Sequence, residues 1–225
     1  MGLSPEKVKV AWEEGQVSGL WQKGVNPFAV MVLAHGAGAG YNHPFLEDLS
    51  DGLAEKGMST LRFQFPYMEA GKRRVDSKNK CLQVLWAAEQ KLAELAPGMP
   101  YFFGGKSFGG RMASHGCAEN KISPRGLIFY GFPLHPPKKP GSDRADHLME
   151  IDVPMLFLQG ERDALATPEL LTEVNAKLGA LSHLVFFEDG DHSFKVRKRS
   201  GLDQGEVFSR LQEETVGFCR QVLGL

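Results

Sequence analysis

Residues 101–110 of the sequence, YFFGGKSFGG, decide the fold. They begin with aromatic residues typical of a buried strand and continue into Gly105-x-Ser107-x-Gly109, ahead of a helical segment at 111–118. A serine at such a strand-to-helix turn occupies a sharp, strained position, and its hydroxyl then stands clear of the sheet. The glycines have no Cβ, so the strand and the helix can approach each other closely. The stretch therefore predicts that Ser107 is an exposed nucleophile.

Two other interpretations of this stretch compete with the nucleophile. Gly105-Lys106-Ser107 also matches the end of the phosphate-binding pattern G-x-x-x-x-G-K-[ST], but that pattern needs glycine at position 100, which is Pro100. Alternatively, the glycines form only a tight turn and the serine is incidental. The nucleophile is favoured because backbone N–H groups at the start of the following helix, that of Phe108 above all, can stabilise an oxyanion.

Short apolar runs alternate with segments of helical period on both sides of this stretch. Residues 7–12 and 16–22 predict an antiparallel hairpin. The later runs are apolar at nearly every position, which is typical of parallel strands covered on both faces. The fold class is therefore α/β, with a mostly parallel central sheet, an N-terminal antiparallel hairpin and helices on both faces. We expect strands at 28–34, 60–65, 101–103, 127–130, 155–158 and 183–187, and helices at 45–56, 82–93, 111–118, 168–178 and 206–223.

A serine hydroxyl becomes a strong nucleophile only when a base accepts its proton and a carboxylate orients that base. Asp163 follows the run 155–158, and His192 follows the last apolar run. Both residues lie past the carboxyl ends of strands, where sites form in parallel sheets. The chain order of serine, acid and histidine is also one that nucleophile elbows use. We predict a catalytic triad of Ser107, Asp163 and His192, with Glu161 as a rival for the acid.

The remaining histidines compete poorly for the role of base. His183 begins its strand, at the wrong end of the sheet, and the others precede the serine, lie in the elbow helix or lie in the proline-rich connection 132–154. Asp189 and Asp191 are too near His192 in sequence to be favoured as its orienter, although turn geometry could make one a supporting partner. The histidines that we expect to face solvent are His35, His43, His115, His135 and His147.

The oxyanion hole needs a second backbone N–H besides that of Phe108. After the first buried run the chain reads HGAGAG at residues 35–40, a loop of small residues that can present backbone donors with little steric obstruction. Its alternating glycines do not match the G-x-G-x-x-G spacing of dinucleotide-binding loops. We predict that Ala37 supplies the second donor, and the alternative is a merely flexible turn.

Composition and charge exclude several classes of protein. The chain has 225 residues, with 26 basic and 27 acidic side chains and a net charge of −1, so it lacks the basic excess of a nucleic-acid binder. Its apolar stretches are far shorter than the roughly twenty residues of a membrane helix. We expect a single domain over residues 1–225, with no nucleic-acid or membrane partner and with a small molecule as substrate.

Cysteine usage and the N-terminus indicate the cytoplasm. Cys81, Cys117 and Cys219 form an odd, widely spaced set without a CxxC, which is typical of free thiols. Residues 1–7 carry charge early and lack the apolar core of a secretory signal. No HExxH pattern occurs, and His115-x-Cys117 is an isolated pair, so we expect neither a metal nor a cofactor.

The HG loop, the elbow, the acid loop LQGERDAL (158–165) and the histidine loop GDHSF (190–194) resemble, in this order, the α/β-hydrolase superfamily over about residues 26–222. Together with GFPLHPP (131–137), they are similar to a small bacterial group of hydrolases related to testis-expressed protein 30 and to the hydrolase-like domain of NSL-complex subunit 3. The resemblance implies an eight-stranded type of sheet and an esterase-like triad, without a settled substrate. Lys106 differs from the residues that commonly precede the nucleophile in this superfamily. The resemblance therefore does not imply lipase or peptidase activity.

Two functions of different classes remain open. One is a serine hydrolase that cleaves an ester, thioester or related acyl bond of a small soluble substrate. The other is a non-catalytic binding or scaffold protein on the same fold, since a fold does not determine a function. The intact set of serine, aspartate and histidine favours the enzyme. Acyltransferase and perhydrolase activities use the same residues and cannot be separated from hydrolysis at this point.

The connections predict an uncapped site that carries positive charge. Residues 132–154 include five prolines, and 144–151 are expected to form a crossover helix, which leaves too little chain for a lid domain. An open, shallow site follows, and it disfavours long-chain lipids. Basic residues outnumber acidic ones in the loops expected at the strand carboxyl ends, so we expect anionic substrates to be steered there. The basic residues are Lys72, Arg73, Arg74, Lys106, Lys138, Lys139, Arg144, Arg162, Lys195, Arg197, Lys198 and Arg199.

Overall fold

Eight strands form one sheet in the computed structural model, which describes residues 4–225. Residues 1–3, on which the expectation about a secretory signal partly rests, lie outside the described residues. The strands are β1 Glu6–Trp12, β2 Gly15–Gln22, β3 Ala29–Ala34, β4 Met58–Phe63, β5 Tyr101–Lys106, β6 Leu127–Tyr130, β7 Met155–Gly160 and β8 Ser182–Phe187.

The order of the strands across the sheet is β1-β2-β4-β3-β5-β6-β7-β8. β2 pairs antiparallel with β1 and with β4, and all other neighbouring strands are parallel. The predicted N-terminal hairpin and mostly parallel sheet are therefore confirmed. The parallel strands end at the same edge, and that edge carries the loops that follow β3, β5, β7 and β8.

The central strands are buried on both faces, as their continuous apolar sequences predict. Every residue of β3, β4, β6 and β7 is buried. Side chains alternate between two apolar clusters along each strand, so that Met31 joins the cluster on one face and Val32 the cluster on the other.

Helices cover both faces of the sheet, as expected. Leu49 of the first helix and Leu211 of the last join one cluster, while Leu85, Met112 and Leu171 of other helices join the opposite one. The helices are α1 Pro44–Glu55, α2 Pro66–Glu69, α3 Lys78–Leu95, α4 Phe108–Ala118, α5 Pro168–Leu178 and α6 Gln204–Leu223. Of these, the single turn α2 was not predicted, and α4 begins three residues earlier than expected.

Local sequence sets where the helices begin and end. The side chain of Thr167 accepts a hydrogen bond from the N–H of Leu170 and caps α5, and Gly179 with φ 60° ends that helix. In the same way, Asp203 accepts from the N–H of Glu206 at 3.0 Å and caps α6. These caps satisfy backbone groups that a helix terminus otherwise leaves without partners.

The connection at residues 132–154 contains no lid domain, as predicted, but its helix differs from the expectation. Asp143–Glu150 forms a 3-10 helix, in place of the crossover α-helix expected at 144–151. Its buried residues, Ala145 and Leu148, are three positions apart, and a 3-10 helix places such positions on one face. Among the described residues, no helix has the length and apolar character that crossing a membrane requires.

Candidate active site

Ser107 lies between β5 and α4 in a strained conformation, with φ 51° and ψ −113°. Residues other than glycine rarely adopt a positive φ. A Cβ on Gly105 would lie 2.3 Å from the backbone nitrogen of Gly110, and a Cβ on Gly109 would lie 2.5 Å from the carbonyl oxygen of Ala34. Both glycines of the motif are therefore required by close backbone contacts, and the turn directs Ser107 into a cleft at the end of the sheet.

The structure brings Ser107, His192 and Asp163 together from the ends of β5, β8 and β7. Ser107 Oγ lies 2.9 Å from His192 Nε2, and His192 Nδ1 lies 2.6 Å from Asp163 Oδ2. The carboxylate can only accept, so Nδ1 carries a hydrogen and Nε2 is free to accept from the serine hydroxyl. Asp163 is buried, and it also accepts hydrogen bonds from Gln159 Nε2 and from the N–H of Leu165. This geometry is the one that a serine nucleophile, a base and an orienting acid need.

His35 holds the loop that was predicted to supply an oxyanion donor. The expectation that His35 faces solvent is wrong, because the residue is fully buried. Its Nε2 accepts a hydrogen bond from the N–H of Phe65 at 3.0 Å, so its Nδ1 carries the hydrogen and donates to the carbonyl oxygen of Gly36 at 2.8 Å. In a trans peptide the C=O and N–H point in opposite directions, so the N–H of Ala37 is directed away from His35. Burial lowers the pKa of His35 to about 4, which keeps the ring neutral.

Ser107 opens onto a cleft of about 720 Å³. A volume of this size suits a small organic ligand. Phe45 and Phe208 supply aromatic surface, Ala37 and His192 also line the cleft, and no domain covers the opening. Phe108 is the first residue of α4, so its N–H is one of the free donors at the helix N-terminus. The roles of Ala37 and Phe108 as oxyanion donors remain predictions.

Lys106 connects the nucleophile elbow to the histidine loop, a contact that the sequence does not indicate. Its Nζ donates a hydrogen bond to the backbone carbonyl of His192 at 2.5 Å. The rings of Phe45 and Phe194 stack on each other with centroids 5.9 Å apart, and both lie on the same side of the ammonium group, 6.0 and 5.9 Å from Nζ. Burial lowers the pKa of Lys106 to about 8.

Asp189 orders the loop that carries His192. Its carboxylate pairs with Arg197 and also lies 3.5 Å from the guanidinium of Arg162. Arg162 directly precedes Asp163 in the sequence. The hydrogen bonds from Arg197 hold the pKa of Asp189 below its usual range. Two of the basic residues that were expected to attract anions are therefore already paired with a carboxylate. The sequence indicates Asp189 only as a possible supporting partner of His192.

Two further histidines form a cluster away from the cleft. His115 of α4 and His147 of the 3-10 helix stack with their ring centroids 3.6 Å apart, and His147 Nε2 lies 2.7 Å from the hydroxyl of Ser114. Both rings are half-buried, and His135 is buried as well, so the expectation that these three face solvent is wrong. His43 is exposed, as expected, and its side chain caps α1.

The remaining candidates lie outside this arrangement. Glu161, the rival acid, accepts a long hydrogen bond from the N–H of Asp189 and makes no hydrogen bond to His192 among the described residues. Within residues 4–225, no group of three or more histidine, cysteine, aspartate and glutamate side chains is arranged to hold a metal ion. The three cysteines are free and buried.

An eight-stranded, mostly parallel sheet with a serine elbow and a histidine loop at its carboxyl edge defines the α/β-hydrolase fold. A model of the alpha/beta hydrolase domain family matches residues 27–220, so the chain belongs to this family. The narrower resemblance to the testis-expressed protein 30 group stays a prediction.

Solved structures share this fold over nearly the whole chain. A dienelactone hydrolase from Anabaena variabilis is 17% identical, with 96% of this chain and 97% of that chain covered and a TM-score of 0.76. An α/β serine hydrolase homologue from Coxiella burnetii is 18% identical, with coverages of 96% and 98% and a TM-score of 0.76. An α/β serine hydrolase without a lid from Xanthomonas campestris is 18% identical, with coverages of 97% and 96% and a TM-score of 0.75. At these identities the likeness concerns the fold.

Proposed function

We propose that the protein is a serine hydrolase that cleaves an ester, thioester or related acyl bond of a small soluble substrate. The observation that carries this proposal is the continuous chain of hydrogen bonds from Ser107 through His192 to buried Asp163. Membership in the α/β hydrolase family and the likeness to solved α/β serine hydrolases support it. The uncapped cleft favours small substrates over long-chain lipids.

The reaction proceeds through an acyl-enzyme on Ser107. His192 Nε2 accepts the hydroxyl proton while Oγ attacks the acyl carbon, and Asp163 stabilises the imidazolium that forms. The backbone N–H groups of Ala37 and Phe108 stabilise the negative charge on the carbonyl oxygen. His192 then donates its proton to the leaving alcohol or thiol. Water, deprotonated by the same imidazole, attacks the acyl-enzyme, and the release of the acid regenerates Ser107.

Covalent labelling with a fluorophosphonate probe tests this proposal directly. Wild-type protein should be labelled at Ser107, and Ser107→Ala should not be labelled. Ser114→Ala is a matched control, because Ser114 also lies within 2.7 Å of a histidine but is fully buried and outside the cleft. A panel of small esters and thioesters, assayed with the same variants, then gives the substrate class.

Two results would contradict the enzymatic role. Folded wild-type protein that is never labelled would instead support a binding or scaffold function for this fold. Equal labelling of the wild type and of the Ser107→Ala variant would place the reactive group elsewhere. Loss of labelling in Ser107→Ala together with full labelling of Ser114→Ala supports the proposal.

A further inference from the structure

Lys106 lines the cleft, and its buried ammonium group forms no ion pair within residues 4–225. Ser107 and His192 line the same cleft. An ammonium group has three N–H donors, and a single hydrogen bond, to the neutral carbonyl of His192, accounts for one of them. The nearest negative charges, those of Asp163 and Asp191, act on it only through space.

This arrangement is unfavourable for the free enzyme. A charge that is removed from water requires a partner, and without one its charged form is disfavoured. The lowered pKa of Lys106, about 8, reflects that imbalance, although most of the group stays charged at pH 7. A negatively charged ligand group in the cleft would supply the missing partner. Other basic groups near the site differ in this respect, since Arg162 and Arg197 are already paired with Asp189.

The other lining residues of the cleft fit a ligand with an apolar body and an anionic group. Phe45 and Phe208 form an aromatic wall, with ring centroids 5.2 Å apart. Lys195 and Asp48 are exposed lining residues of opposite charge. Lys106 is therefore the buried cation of the lining that adjoins Ser107, and no carboxylate of the described residues binds it directly.

We propose that the cleft selects acyl substrates that carry an anionic group, in the simplest case a carboxylate, and that Lys106 Nζ binds this group. The inference rests on the proposed hydrolase function and narrows its substrate class to acidic esters or thioesters. Lys106 then has two partners in the complex, the carbonyl of His192 and the anionic group of the substrate. A charge-assisted hydrogen bond of this kind is stronger than one between neutral groups.

The first test compares esters that differ only in charge. The 4-nitrophenyl ester of adipic acid, with its free carboxylate, is matched by the same ester with a carboxamide at that position. A second pair, 3-carboxyphenyl and 3-carbamoylphenyl acetate, moves the charge to the leaving group. We expect kcat/KM to favour the anionic member of at least one pair by about 10-fold or more. We also expect that preference to decrease between 0.05 and 1 M salt, over which the screening length falls to about 3 Å.

Substitution of Lys106 shows whether this residue binds the anionic group of the substrate or only positions His192. Lys106→Met should reduce kcat/KM for the anionic ester by about 10-fold or more relative to its neutral match, mainly through KM. The ratio of the two esters cancels any loss that comes from a loosened His192. Lys198→Met is the control for net charge, because Lys198 is exposed and outside the cleft, and the ratio should stay at the wild-type value.

The pH dependence of the wild type gives a second measurement that needs no variant. The carboxylate of the ester stays ionised above about pH 6, whereas Lys106 loses its charge as the pH rises through about 8. The preference in kcat/KM for the anionic ester should therefore decline from pH 7 to pH 9.5.

Three results overturn the inference, and they differ from a failure of the proposed function. The first is a labelled, active wild type without preference for either anionic ester. The second is an equal loss for both members of a pair in Lys106→Met, which leaves Lys106 only a positioning role. The third is a preference that does not change across pH 8. A wild type that is not labelled at Ser107 contradicts the hydrolase function itself, and the inference with it.

Discussion

His192 is constrained at three points by residues from two other segments of the chain, the elbow and the loop after β7. Ser107 contacts its Nε2, Asp163 accepts from its Nδ1, and Lys106 binds its backbone carbonyl. The ring is therefore held in one tautomer and one orientation before a substrate arrives. Such preorganisation lowers the cost of proton transfer, because no further reorientation is needed during the reaction.

Substitution of the two partners of Ser107 should depress turnover strongly. We expect His192→Ala to lower kcat by about 10⁴-fold or more and Asp163→Asn by roughly 10⁴-fold or somewhat less, since the amide can stabilise the wrong tautomer. Steady-state kinetics on the best small ester measures both effects. His183→Ala, an exposed residue at the opposite end of the sheet, should retain wild-type kcat. A kcat within tenfold of the wild type in His192→Ala contradicts the assignment of the base.

The positions of Ser107, Asp163 and His192 could be predicted because each follows a recognisable strand and chain order restricts the choice. The role of His35 could not be predicted, because its Nε2 accepts a hydrogen bond from Phe65, which lies 30 positions away in the sequence. A periodic sequence pattern does not indicate a contact of this kind. The hydrogen bond from Lys106 to His192 joins residues 86 positions apart and could not be predicted for the same reason. A histidine directly after a buried strand and before a glycine loop was the signal available for His35.

The strand–turn–helix element around Ser107 depends on the absence of side chains at its glycines. Gly105→Ala would place a Cβ against the backbone of Gly110, so we expect it to lower the free energy of unfolding by about 1–3 kcal/mol and to slow the labelling of Ser107. Gly217→Ala, exposed in α6 with no atom within 4 Å of the added Cβ, should instead raise stability by about 0.5–1 kcal/mol. Urea denaturation measures both. Equal stability of the two variants contradicts this account of the elbow.

The contact between α4 and the 3-10 helix should weaken in acid. Burial, the neighbouring ring and the guanidinium of Arg111 lower the pKa of His147 to about 3, and burial and Arg111 lower that of His115 to about 4. Lys78 also disfavours protonation of both rings, and Glu119 opposes this effect at His115. The unfolded chain therefore binds more protons than the native protein below about pH 6.5, and stability falls as the pH decreases from there toward 4.

Unfolding measured at two pH values tests this contact. Between pH 7.5 and 5 we expect the half-buried pair to account for a loss of about 1 kcal/mol, a figure reduced for solvent screening. His147→Gln, whose amide can still bond the hydroxyl of Ser114, should lose less stability over the same range. An identical pH dependence in His147→Gln and the wild type contradicts the prediction.

Element types were more predictable than the local form of the connections. The hairpin pattern placed β1 and β2, and the apolar runs placed the other six strands, because burial of a parallel strand on both faces requires nearly continuous apolar sequence. The 3-10 form of Asp143–Glu150 was missed, since a short segment with few apolar residues fits either helical period. The single turn α2 was missed for a similar reason, because four residues are too few to show a period.

The whole molecule is built on one sheet, which we propose folds as a single domain. Both apolar clusters use side chains of the same strands, so neither can lose its packing while the other is retained. We expect fluorescence of Trp12, Trp21 and Trp86, which lie in the N-terminal half, to change at the same urea concentration as far-ultraviolet circular dichroism. Two separate transitions would contradict a single cooperative unit.

The order of the strands leaves β1 and β8 as the two edges of the sheet. These two edges differ in their tendency to pair with a strand of another molecule. β1 carries Glu6, Lys7 and Lys9, and charged side chains discourage the pairing of an edge with a strand from another molecule. β8 reads SHLVFF, a short segment of high β-propensity without charge or proline, which is typical of sequences that aggregate when uncovered. Aggregation on heating should therefore begin at β8, once α5 and the C-terminal helix loosen, whereas the hairpin edge stays protected.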